Sequence, residues 1–207
     1  MSGRDSGLVL SLCDRTGHMV KPWAEAGYAC MTVDLRPPLH AIPNVARIQA
    51  DICRFLPPRM TYAAVFAFPP CTDLAVSGAR WFAEKGLHGL SRALEVVEAC
   101  VRLCEWSGAR WMLENPVSTL ASYWRKPDFI FNPCEYGAYL SPPGDAYTKR
   151  TCLWTGGGFV MPTKRPVLPT EGSRMHRLAP SPNRSDRRAE TPRGFAQAVF
   201  EANGAHP

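Results

Sequence analysis

At 207 residues the chain has the size of one ordinary domain, long enough to bury a core, with a net charge of +6 and 20 prolines, most of them after residue 110. Its eight cysteines include no Cys-x-x-Cys pair, which argues against a zinc site or any other metal centre. With no leading signal-like run and no stretch of membrane-spanning length, the chain is expected to be a reduced, cytoplasmic protein with no membrane partner. The charge is uneven. Between Gly156 and Arg193, eight basic residues face three acids, so nearly the whole excess sits there. Such a stretch suits either a phosphate backbone or a solvated tail.

Leu8–Cys13 reads as a buried strand, Trp23–Gly27 as the end of a helix, and Ala29–Asp34, Val45–Ile48 and Tyr62–Phe68 as further strands. Leu90, Leu94, Val97, Val101 and Cys104 recur at helical spacing and mark one face of a long amphipathic helix. Arg110–Leu113 is a fifth strand. Alternating strands and helices predict an α/β fold, a Rossmann-like, doubly wound and mostly parallel sheet whose ligands bind at the strands' carboxyl ends. Phe129–Phe131 and Thr151–Thr155 are weaker strand candidates. Three parts are expected: a catalytic region over 1–155, a basic Pro/Arg-rich loop region over 156–191, and a helix over 192–207 that packs back. Thr191 reads as its N-cap and Pro192 as its first residue.

Two motifs at expected strand ends carry chemistry. Pro69-Pro70-Cys71 follows the fourth strand, and two prolines stiffen a turn that offers Cys71 as a nucleophile. Glu114-Asn115-Pro116 is expected just past the fifth strand, where Glu114 can hydrogen-bond or protonate a ring nitrogen. Taken singly, each has a plainer reading, a packed cysteine and a helix-start acid. A thiolate at one strand end and an acid at the next is what substitution at a pyrimidine C5 requires. Addition to C6 makes C5 nucleophilic, and a proton at N3 lowers the barrier.

The order of these motifs resembles the DNA cytosine-C5 methyltransferases, in a compact form, over Val9 to about Arg150 plus a short C-terminal piece. Pro69-Pro70-Cys71 with Ser77-Gly78 looks like the family's nucleophile motif, and Glu114-Asn115-Pro116 like its Glu-Asn-Val/Pro motif. The resemblance implies a class I methyltransferase fold and transfer of a methyl group from S-adenosylmethionine to cytosine C5 in DNA through a Cys71–C6 adduct. Pro70, Ser77 and Asn115 would lie against the base. The family's Gln-x-Arg-x-Arg motif has its place in Thr148-Lys149-Arg150-Thr151-Cys152, where Arg150 matches the first arginine and Thr148 and Cys152 depart.

The cofactor end departs further. Against the family's Asp-Leu-Phe-x-Gly-x-Gly the chain reads Ser11-Leu12-Cys13-Asp14-Arg15-Thr16-Gly17, with Leu12 and Gly17 matching and Asp14 as a displaced acid. Asp34 fits the acid that holds ribose hydroxyls, Asp51 with Ile52 the adenine end, and Pro69 a wall of the same site. Arg15, with Lys21 after it, would reach the methionine carboxylate or favour a carboxylated analogue of the cofactor. Thr191-Pro192-Arg193-Gly194-Phe195 loosely resembles the family's last motif, which packs beside the cofactor.

Cys152 to Thr191 leaves no room for a separate target-reading region. The expected substrate is DNA read with low sequence specificity, as single strands, or with a specificity-providing protein partner. Arg174, Arg177, Arg187 and Arg188 are the expected phosphate contacts. A non-catalytic nucleic-acid-binding paralogue and an RNA cytosine methyltransferase remain alternatives. Cys100 and Cys104 are expected to pack. Cys134 is read as structural, because no strand is expected to aim it at a site.

Overall fold

The computed structural model describes residues 7–75, 82–173 and 189–204, apart from the side chains of residues 82, 83 and 85. Five parallel strands come first: β1 (Leu8–Leu12), β2 (Cys30–Asp34), β3 (Val45–Gln49), β4 (Tyr62–Ala67) and β5 (Arg110–Pro116). β6 (Phe129–Phe131) and β8 (Thr151–Gly156) complete a seven-stranded sheet of order β3-β2-β1-β4-β5-β8-β6. β8 runs antiparallel to both its neighbours, so it enters between β5 and β6 against the grain of the sheet. A small parallel pair, β7 (Tyr147–Thr148) with β9 (Gly172–Ser173), lies apart.

The first strand is buried at all five positions, as expected of a strand covered on both faces. One face packs on α2 (Phe82–Trp106), through Val97, Ala99, Cys100, Leu103 and Cys104. Gly86 breaks the helix with φ 62 and ψ −172, outside the helical region. The other face packs on α1 (Lys21–Glu25) and on α4 (Arg193–Asn203), whose Phe195 stacks on Phe131 at 4.1 Å between ring centres. A short α3 (Leu120–Tyr123) follows β5, and a 3-10 turn (Pro133–Tyr139) follows β6.

Several boundaries differ from the sequence reading. β5 runs three residues past Leu113, so Glu114 and Asn115 lie on the strand rather than after it; the antiparallel ladder with β8 pairs Glu114 with Leu153 and Asn115 with Cys152. The last helix begins one residue later than expected. Pro192 is extended (φ −61, ψ 129) and serves as its cap, and Thr191 lies outside. The region after Gly156 is not wholly irregular, since β9 forms there. A strand, β6, does precede Cys134. Because β6 is parallel to β5, Cys134 lies toward the same edge of the sheet, yet it is buried and burial raises its thiol pKa, which keeps it a packing residue. Cys100 and Cys104 are fully buried in the core, and burial pushes the Cys104 thiol far up.

Candidate active site

A parallel sheet splits open at its carboxyl edge, where the chain leaves neighbouring strands in opposite directions. Here that edge holds an open cleft, lined by Cys13, Asp14, Arg15, Thr16, Asp34, Arg36, Leu39, Phe68, Ala189 and Thr191. The loop after β1 forms one wall, the end of β2 another, and the segment before α4 comes back to close a third. Thr191 thus lies in the wall of the cleft.

Asp14 shapes the first wall. Its buried carboxylate accepts hydrogen bonds from Ser11 Oγ (2.8 Å), Thr16 Oγ1 (2.9 Å) and the Gly17 amide (2.6 Å). Both oxygens are committed to the loop, so Asp14 acts on its shape. Gly17 has φ +72, and a Cβ there would run into Arg47 and Ile42. Arg15 lines the cleft and donates from Nε to the Pro37 carbonyl at 3.0 Å. Lys21 does not line the cleft; it is exposed and pairs with Glu25 at 3.7 Å.

Asp34 ends β2 in the cleft wall. Burial raises its pKa above the ordinary carboxylate value, against the pull of the Arg36 amide (2.8 Å) and the Arg36 guanidinium (3.9 Å). Asp51 lies outside the cleft lining; its Oδ1 accepts the Cys53 amide at 3.0 Å, which closes a turn after β3. Ile52 and Leu12 are buried in the core, also away from the lining.

The second half of the site joins the ends of β4 and β5. Asn115, fully buried, donates from Nδ2 to the Pro69 carbonyl at 3.1 Å and so ties one motif to the other. The loop after Cys71 turns back on itself, its carbonyl accepting the amides of Leu74 (3.1 Å) and Ala75 (2.8 Å). The Thr119 amide bonds the Leu74 carbonyl at 2.9 Å, and Ala75 bridges Ser118. Three links thus staple the Cys71 loop to the chain around Glu114. Pro69 is buried, Pro70 exposed and Cys71 partly exposed.

Glu114 faces an unexpected partner. Lys149 Nζ lies 3.6 Å from Glu114 Oε1, with side-chain exposures of 6% and 15%. Arg150, expected from the resemblance to meet the base or a phosphate, is exposed. The Thr151 hydroxyl donates to the Lys149 carbonyl at 2.8 Å, which turns the chain before β8 and buries Lys149 rather than its neighbour. Glu114 Oε1 and Asn115 Oδ1 are both buried with no hydrogen-bond partner among the described residues. Lys149, Phe68 and Arg47 are the residues that sequence reasoning missed. Ser77, Arg174, Arg177, Arg187 and Arg188 lie outside the described residues.

Compared with protein-family models and with curated proteins, the chain matches none. Among solved structures it is similar to the glycopeptide N-methyltransferase MtfA. The likeness to MtfA with S-adenosylhomocysteine has 17% identity and a TM-score of 0.34, over 63% of this chain and 53% of that one. With S-adenosylmethionine the values are 16%, 0.31, 63% and 54%, and for a further MtfA structure 14%, 0.34, 82% and 70%. The chain spans about half the length of the first two. The assignment of the fold rests on the strand order itself. A parallel β3-β2-β1-β4-β5 sheet extended by an antiparallel strand inserted before the last is the class I methyltransferase arrangement, and the chain has that fold.

Proposed function

We propose that this chain transfers a methyl group from S-adenosylmethionine to C5 of cytosine in DNA. The observation that carries the reading is the Asn115–Pro69 bond. It unites the Cys71 turn and the Glu114 strand end into one unit beside the cleft. The cleft suits a nucleoside cofactor: Asp34 ends β2 there as an acceptor for hydroxyl groups, and Thr191 and Phe68 supply walls. When bound, the cofactor supplies an electrophilic methyl group.

The chain's own residues do the rest. The Cys71 thiolate adds to C6 of the ring, and Glu114 supports the charge that builds at N3 with a hydrogen bond or a proton. The electron pair thus released at C5 takes the methyl. Loss of the C5 proton to solvent then lets the Cys71 sulfur leave and restores the ring. Lys149 balances the Glu114 carboxylate before the base arrives. The Glu114 carboxylate then serves as acceptor for the cytosine amino group.

DNA as substrate is supported by charge: between Gly156 and Arg193 eight basic residues stand against three acids, a surplus that suits a phosphate backbone.

The deciding experiment is mass spectrometry of nucleosides from single-stranded DNA, duplex DNA and RNA incubated with the protein and cofactor. A C5-substituted deoxycytidine that disappears in Cys71→Ala supports the reading. DNA bearing 5-fluorocytosine should trap the wild type covalently, since fluorine cannot leave C5 as a cation. Product in RNA alone moves the substrate to RNA. Cofactor binding without any product makes the chain a binding paralogue.

A further inference from the structure

Most loops that follow β1 in nucleotide-binding folds rely on several glycines, which let the backbone turn tightly against the ligand. This loop, Cys13-Asp14-Arg15-Thr16-Gly17, has one glycine, at its end, and a non-glycine residue, Cys13, at φ 56. Something other than glycine freedom must hold it. Asp14 collects the donors on one side, as described above. The acceptors on the other side, the carbonyls of Arg15 and Thr16, are taken by one residue from two strands away. Arg47 on β3 reaches past the end of β2, with Nη2 donating to the Arg15 carbonyl and Nη1 to the Thr16 carbonyl at 3.3 Å.

We propose that Arg47 is a positioning residue for the cofactor: its two-pronged hold on the Arg15 and Thr16 carbonyls fixes the glycine-poor loop in its binding shape. A planar guanidinium can bridge two adjacent carbonyls, whereas an ammonium offers no such fork. The arrangement has a cost. Arg47 Nε is buried with no hydrogen-bond partner among the described residues, and burial lowers the guanidinium from its ordinary pKa, opposed by the nearby charges of Asp14 and Asp34. An apolar side chain would escape that cost, so the return must come from the two carbonyl bonds. Gly17 fits the same account: its φ of +72 and the space filled by the Arg47 guanidinium leave no room for a side chain. Asp14 and Arg47 together grip the loop from opposite sides. Turning those carbonyls toward Arg47 directs them away from a ligand's own acceptors.

This inference rests on the cofactor reading above, and its test separates the two. Arg47→Met and Arg47→Lys are compared with the wild type in two measurements: amide hydrogen exchange over residues 13–18 without ligand, and calorimetric binding of S-adenosylhomocysteine. In Arg47→Met, exchange at Gly17 and His18 should rise and the Kd should increase about 10-fold or more, the scale of two lost charge-assisted hydrogen bonds. The KM for the cofactor should follow the Kd, while kcat at saturating cofactor stays within about 2-fold. Arg47→Lys should fall between, and it stands in if Arg47→Met does not fold. Wild-type exchange and affinity in both variants overturn the proposal. A wild type that binds no S-adenosylhomocysteine overturns the cofactor reading, and the exchange measurement still decides whether Arg47 holds the loop.

Discussion

Lys149 and Glu114 form a nearly buried ion pair 3.6 Å apart at the junction of β5 and β8, and the carboxylate oxygen facing the lysine accepts no hydrogen bond from the described residues. A pair so placed is costly to break from one side, because the remaining charge stays in a poorly solvated site. Lys149→Met should therefore lower the unfolding free energy by about 3 kcal/mol. The double variant Lys149→Met/Glu114→Gln should lose less than the two single losses combined. A denaturant-unfolding cycle over the four proteins measures this. Strict additivity would mean that the two groups do not interact.

Glu114→Gln keeps the shape of the side chain and removes its charge and its proton. Cytosine transfer should slow by about 100-fold, the scale of general acid catalysis, while S-adenosylhomocysteine affinity stays near the wild-type value. Single-turnover rates and calorimetry check the two halves of this statement. A loss confined to cofactor affinity would move Glu114 out of the base site.

Asp34 should show opposing effects on stability and binding. Burial raises its pKa in the folded chain, so the folded state holds its proton to a higher pH than the unfolded state does. The linkage sign follows: this group weighs least on the fold below the ordinary carboxylate pKa, and stability falls as pH rises from there through the raised value. Asp34→Asn should raise the melting temperature at neutral pH, and that gain should shrink to nothing below about pH 4. The same change should weaken cofactor binding. Thermal melts across pH, paired with calorimetry, would expose a failure of either half.

Arg15 offers the cleft a positive charge. Arg15→Gly should weaken cofactor binding by about 10-fold, the scale of one charge-assisted contact. Comparing S-adenosylmethionine with its carboxylated analogue identifies the anion that Arg15 meets. Equal losses point to the methionine carboxylate, and a loss confined to the analogue, with a heavier modified cytosine, points to the additional one. Unchanged affinity for both would place Arg15 outside recognition.

The sheet was legible in the sequence wherever burial on both faces leaves apolar runs. β1, β2, β4 and most of β5 are such runs, and their ends locate the cleft. Less legible was anything decided by a partner distant in sequence. β5 continues through Glu114-Asn115-Pro116 because β8 pairs with it, and no local pattern announces an antiparallel neighbour. The choice between Lys149 and Arg150 was equally hidden. Two adjacent cations are equivalent in sequence until the Thr151 hydroxyl bond turns one inward. Asp14 and Asp51 show how similar aspartates diverge. One organises the cleft loop and the other closes a turn outside the lining, and only the three-dimensional course of β3 separates them.

The antiparallel entry of β8 also orders events during synthesis. Among the described residues β6 pairs in the sheet with β8 alone, and β5 has a bare outer edge until β8 arrives. A nascent chain that has emerged only as far as the 3-10 turn can assemble five strands and α2, but it carries an unpaired edge on β5 and an orphan strand. Since Lys149 lies two residues before β8, the stretch of chain that seals the sheet also delivers the cation to Glu114. A chain that ended before residue 151 would leave the β5 edge exposed for pairing with another strand.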